Sequence, residues 1–214
     1  MKEWSLLQIT EWLKGRTNVL LCVTGPTGSG KSTFLSNLAR ELNYATAYPG
    51  KAVRRNPVLL ARVLDSGNPT ASPELEDYIR SYVRKRVEDT PEGASVAIDG
   101  VPRTFEQVMF CVDLATDYNK TLVFAYLDVS RSERERRLKL RGEIGDLELM
   151  QKRLDSDEIN LPTVMSRIVQ VVAGGKFGFF FIVNTGIQQD RRAVKREEKI
   201  KTPEGELDTT CGDK

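Results

Sequence analysis

With 214 residues the chain is long enough for one well-buried α/β core with small insertions, and too short for two full domains. Charged residues make up 29% of it, yet the formal net charge is only +2, so no global field recruits nucleic acid or an anionic membrane and any anion specificity has to come from local clusters. Histidine is absent, which removes the commonest general base and the commonest metal ligand; Cys22, Cys111 and Cys211 are odd in number and lack metal-like spacing, as expected of reduced thiols in a cytoplasmic protein.

Residues 1–14 carry Glu3 and Glu11 among their apolar positions, which suits neither a signal peptide nor a membrane span. Trp4, Leu7, Trp12 and Leu13, flanked by Ile9, predict instead a short amphipathic docking helix that stops near Gly15. Asn18 to Thr24 is a continuous apolar, β-branched run, the pattern of a strand buried on both faces of a parallel sheet. Similar runs at Ala94 to Ile98, Leu122 to Leu127 and Phe179 to Val183 predict three more strands, and Tyr44 to Tyr48 a fifth. Helical segments separate them, so the expected fold is α/β, a doubly wound parallel five-stranded sheet. Asn56 to Leu64 reads as a helix broken by Gly67-Asn68-Pro69, and Ser72-Pro73-Glu74 starts another that runs to about Arg86, because serine caps free amides and proline fits the first helical turn. Together they form a helical insertion at about 48–90. The expected domain is 1–195, and the polar stretch 196–214, with Pro203, Gly205 and Gly212, is expected to be a disordered tail.

Directly after the first strand run comes Gly25-Pro26-Thr27-Gly28-Ser29-Gly30-Lys31-Ser32, followed by Thr33. Two glycines bracketing four residues, then lysine and a hydroxyl, let backbone N–H groups and the positive end of the next helix face phosphates. Lys31 is expected on the β- and γ-phosphates and the Ser32 hydroxyl on Mg²⁺. Asp99 ends the Ala94 to Ile98 run, where an acidic residue holds Mg²⁺ through water; without the phosphate loop it would read as a turn-forming Asp-Gly pair.

Asp99-Gly100-Val101-Pro102-Arg103-Thr104, with Gln107 four residues after the arginine, resembles a segment of the adenylate kinase family. The resemblance implies that Arg103, beside Gly100, binds the acceptor phosphate and that Gln107 reads the adenine edge, a base with which glutamine can pair bidentately. Arg137 and Arg141, before Gly142-Glu143, resemble the entry to that family's lid, at about 141–167, which implies Arg137 against the donor adenine and Arg141 on donor phosphates. Arg153-Leu154-Asp155, followed by Arg167, resembles the lid's exit, whose two arginines embrace the transferring group; Leu161-Pro162-Thr163 is read as an insertion between them. Arg131, Arg134 and Arg136 read as a solvated helix face offset by Glu133 and Glu135. In Pro49-Gly50-Lys51-Ala52-Val53-Arg54 only the glycine and arginine agree with the family's acceptor loop, which leaves Arg54 as a second clamp on the acceptor phosphate. Asn184-Thr185-Gly186 falls where the family sets backbone groups against the donor adenine, and serves equally as a turn after the last strand.

The expected reaction is MgATP plus AMP giving two ADP, by a monomer with no nucleic-acid or membrane partner. An acceptor phosphate is already an anion and attacks without a protein base, which suits a chain free of histidine. Two alternatives stand beside it: a kinase for CMP, UMP or a deoxynucleoside monophosphate, and a catalytically degraded nucleotide-binding module.

Overall fold

The computed structural model describes residues 3–66, 72–140, 147–174 and 179–184. Gly67-Asn68-Pro69, Arg141 with the lid entry, Thr185-Gly186, Cys211 and the 196–214 tail lie outside the described residues. In chain order the elements are β1 (Glu3–Trp4), α1 (Leu6–Leu13), β2 (Val19–Thr24), α2 (Lys31–Leu42), β3 (Ala45–Ala47), α3 (Pro49–Arg54), α4 (Pro57–Ser66) and α5 (Pro73–Glu88). They continue with β4 (Val96–Asp99), α6 (Phe105–Asp117), β5 (Thr121–Asp128), α7 (Arg131–Leu140), α8 (Leu147–Ala173) and β6 (Phe179–Asn184).

All six strands are parallel, in the order β1-β6-β5-β2-β4-β3. The five-stranded sheet expected from the sequence is one strand short, because Trp4 is not in the first helix. It pairs with Val183 on the short edge strand β1. The helix begins after Ser5, whose side chain accepts the Gln8 N–H while the Gln8 side chain accepts the Ser5 N–H, a reciprocal cap. Ile9 and Leu13 point inward and Leu7 is exposed, so Ile9 belongs to the docking face.

Continuous apolar runs are needed because both faces of the sheet are covered. Strand residues alternate between faces, and the core splits accordingly. Leu20 and Cys22 of β2, Val96 and Ile98 of β4, and Leu122 and Phe124 of β5 pack with α5, α6 and α8. Their neighbours Leu21, Val23, Ala97, Val123, Ala125 and Leu127 pack on the other side with α1 and α2. No helix among the described residues is long and apolar enough to cross a membrane.

After β2 the chain moves outward to β3, returns to β4 beside β2, and then crosses to β5 on β2's other flank. The strand order therefore reverses around β2, and the crevice outside the carboxyl ends of β2 and β4 is the place where open α/β sheets bind ligands. Register fixes the details: Val23 pairs with Asp99, and the Gly100 N–H donates to the Val23 carbonyl at 2.8 Å. The loop after β2 and the carboxylate ending β4 are thus neighbours by construction.

The segment Pro49 to Arg54 is a helix, α3, with proline in its first turn. Helix α8 continues through Leu161-Pro162-Thr163, with Pro162 on its exposed side.

Candidate functional site

The loop between β2 and α2 turns on glycines in backbone conformations that L side chains rarely adopt. Gly25 has φ 134°, and a Cβ there would lie 2.6 Å from the Leu127 carbonyl oxygen; Gly28 has φ 82° and a Cβ would press within 3.1 Å of the Arg134 carbonyl. The loop is therefore wedged against β5 and α7, with α2 directing its N-terminus into the crevice.

Lys31 opens α2 and folds back over this loop. Its Nζ donates to the Gly25 and Pro26 carbonyls at 2.7 and 2.8 Å, with Ser29 Oγ at 3.4 Å. Burial, and next the positive charge of Arg103, push the ammonium pKa down to about 7, against the supporting charges of Asp99 and Asp157. Next in sequence, the Ser32 hydroxyl donates to Asp99 Oδ2. Thr33 is exposed on the first turn of α2.

A cavity of about 360 Å³ opens from this loop. It is lined by Thr27, Gly28, Lys31, Ser32, Asp99 and Gly100, by Arg54 on α3, Arg103 before α6 and Arg153 on α8, and by the apolar Val53, Leu60, Val63, Ile79 and Val101. Arg103 lies beside the loop, its Nε donating to the Gly100 carbonyl at 3.2 Å. Cationic side chains together with aliphatic ones suit a ligand with phosphates and an uncharged ring.

Gln107 also faces this cavity, at 1% exposure. Thr104 caps α6 by accepting the Gln107 N–H, and the Gln107 side chain reaches back so that Oε1 accepts the Arg103 N–H at 2.7 Å. Its Nε2 donates to Glu76 Oε2 on α5 at 2.7 Å, and the same carboxylate accepts from Arg80. These two bonds fix the amide's orientation and leave it one donor hydrogen and one acceptor lone pair.

Arg137 holds the loop from outside the cavity: Nη1 donates to the Ser29 carbonyl at 3.3 Å and Nε to Glu133 at 2.7 Å. Arg136 and Arg137 together hold the Glu133 carboxyl down at about 2. Arg167 is not brought to the site. It lies fourteen residues beyond Arg153 on α8, about 21 Å along the axis, with its guanidinium over the Phe105 ring at 4.3 Å and on Met109 and Gln170. Helix α8 is continuous, so the chain between the two arginines does not fold back.

Two residues emerge that the sequence reading did not assign. Arg134, expected on a solvated face, is 4% exposed behind the phosphate loop; its Nη2 donates to Glu158 at 3.0 Å, and its Nε and Nη1 have no hydrogen-bond partner among the described residues. Asp157, one turn after Arg153, is 6% exposed and accepts both the Thr27 N–H and an Arg103 N–H, the latter at 3.1 Å. The four-residue spacing in Arg153-Leu-Asp-Ser-Asp157, which sets both side chains on one helix face, was the signal available for it.

The Ser32 and Asp99 oxygens suit Mg²⁺, a hard ion that binds few protein groups and takes its remaining ligands from phosphates and water. The described residues contain no group of three or more His, Cys, Asp or Glu able to hold a metal by themselves.

A family model described as AAA domain matches residues 24–151, more than half of the chain, from the end of β2 into α8. No curated protein matches.

Proposed function

From the premise that this chain belongs to the AAA domain family, and so is a P-loop nucleotide-binding protein, we propose that it transfers the γ-phosphate of MgATP to a nucleoside monophosphate, AMP in preference to others. The observation that carries this reading is one cavity lined both by the phosphate loop with Lys31 and by a second set of arginines, Arg54, Arg103 and Arg153, together with apolar side chains. A simple hydrolase needs only the first half of that arrangement; an acceptor phosphate and its base account for the rest.

In this reading the loop's N–H groups and Lys31 hold the β- and γ-phosphates, and Arg54 and Arg103 hold the acceptor phosphate in line. An acceptor oxygen attacks the γ-phosphorus while the bond to the β,γ-bridging oxygen breaks, and its electron pair leaves with ADP. Arg153, with Arg141 from outside the described residues, offsets the charge that builds on the transferred group. Ser32 and Asp99 would hold Mg²⁺ with the nucleotide, and the ion would supply further charge neutralisation. Gln107 supports adenine as the acceptor base, since one donor and one acceptor remain on its amide, the pair adenine's edge requires. Lys51, one of the departures from the family's acceptor loop, stacks over the Tyr48 ring at 3.9 Å and does not line the cavity, so it does not argue against a purine.

The test is a coupled assay of ADP formation from ATP with AMP, CMP, UMP, GMP and their deoxy forms. AMP is expected to give the highest kcat/KM. Preference for a pyrimidine overturns the base assignment, and ATP binding without turnover on any acceptor overturns the kinase.

A further inference from the structure

Asp157 occupies an unusual place for a buried carboxylate. It stands on α8 between the phosphate loop and the acceptor clamp, lining the main cavity and also a second one behind the loop. One oxygen accepts the backbone N–H of Thr27 and the other accepts Arg103 Nη1 at 3.1 Å. Its charge also acts on Lys31. A carboxylate resembles two oxygens of a phosphate in charge and in acceptor geometry, and here it takes hydrogen bonds from two groups that a nucleotide kinase turns toward phosphates.

We infer that Asp157 is an internal phosphate surrogate that couples the donor and acceptor subsites. The inference rests on the kinase reading for the identity of the two subsites. A donor phosphate at the mouth of the loop displaces one carboxylate oxygen from Thr27 and repels the whole group. Both oxygens belong to one side chain on one rigid helix, so the movement that clears Thr27 also releases Arg103. The second substrate then meets an emptied clamp. The argument runs equally from the acceptor side, and linkage requires the two effects to be equal. Arg103 is therefore not a permanently open site: in the empty protein it is held by an anion of the protein's own, and the cost of removing that anion falls once, on whichever substrate binds first.

Asp157→Asn is the informative variant, since it keeps the shape but offers one acceptor oxygen and an NH₂ group. It cannot accept from Thr27 and Arg103 together, and it carries no charge. Calorimetry on both proteins would measure three dissociation constants: inorganic tripolyphosphate alone, AMP alone, and AMP with a saturating non-hydrolysable MgATP analogue. In the wild type the analogue is expected to tighten AMP by at least about fivefold. In Asp157→Asn, tripolyphosphate and AMP alone should each bind more tightly than to wild type, and the effect of the analogue on AMP should fall toward none. Unchanged constants overturn the inference, including the case where only the melting temperature drops, which marks a purely structural tie. If tripolyphosphate tightens in the variant while neither protein binds AMP, Asp157 is the surrogate and the monophosphate-kinase reading is wrong. If the wild type binds no anion at all, both fall. Should Asp157→Asn not fold, Asp157→Ser removes the same bridge and is held to the same outcomes.

Discussion

Arg103, Arg153 and Arg167 separate by what each guanidinium can reach. Arg103 is assigned to the acceptor in ground and transition states alike, so Arg103→Ala should raise the acceptor KM strongly and change the ATP KM by much less, the latter only through Asp157 and Lys31. Arg153 faces the same cavity but is assigned to charge that builds only during transfer, so Arg153→Ala should lower kcat, by about 10³ given that Arg141 shares the load. Arg167 stacks on Phe105 away from the cavity, so Arg167→Ala should leave kcat and both KM values unchanged and cost about 0.5–1 kcal/mol of stability from the lost cation–π contact. Steady-state kinetics with each substrate varied in turn, alongside a denaturant titration, separates the three outcomes. Loss of turnover in a folded Arg167→Ala protein would contradict the helix geometry described above.

The phosphate loop works as one piece because its glycines let it lie directly on β5 and α7. A Cβ at Gly25 collides with backbone, the Leu127 carbonyl at 2.6 Å, and backbone in a central strand cannot move aside as a side-chain tip can. Gly25→Ala is therefore expected to abolish nucleotide binding and lower the melting temperature, read by calorimetry and thermal unfolding. Helix α1 has the opposite character: Ile9 and Leu13 are fully buried against β2 and α2, on the side of the sheet remote from Arg54 and Arg103. Ile9→Ala should cost about 2–5 kcal/mol in urea unfolding, while turnover per folded molecule stays at the wild-type level. A kinetic defect in that variant would mean that the first helix reaches the site.

In the protein as a whole, the absence of histidine leaves the pH profile to few groups near neutrality. Lys31 is the one at the site whose pKa is brought there, to about 7 from an ordinary 10.5, chiefly by burial. Between those two values the unfolded chain holds a proton that the empty folded protein has lost, so this group's contribution to the stability of the empty protein rises with pH across that window. Nucleotide reverses the balance, because phosphate charge beside Lys31 favours the ammonium. ATP binding near pH 8 should therefore take up a proton, detectable by calorimetry in buffers of different ionisation enthalpy. It also follows that kcat/KM for ATP should fall above about pH 7, where free Lys31 loses its proton, while kcat, which reports the bound complex, holds to higher pH. Equal alkaline limbs on the two parameters would show that Lys31 is not the titrating group.

The amino-acid sequence by itself determined the α/β alternation, the buried β2, β4 and β5 runs, the Ser72 cap and the phosphate loop with Asp99. Each of these rests on local chemistry: a strand covered on both faces must be apolar throughout, and a left-handed turn packed against backbone needs glycine. Tertiary structure alone decided the rest. Trp4 pairs with a strand some 180 residues away, a contact that short-range periodicity cannot register. Arg134 and Arg136 are two residues apart on one helix, yet the first is buried behind the loop and the second exposed, because only the packing of α7 on that loop distinguishes their faces. Arg167 and Asp157 differ for a similar reason: the resemblance implies that Arg167 joins Arg153 at the site, whereas an unbroken α8 carries Arg167 away and delivers Asp157 to Thr27 and Arg103. Chemistry encoded by neighbouring residues is legible along the chain; chemistry made by residues 50 to 130 positions apart exists only after the elements have packed.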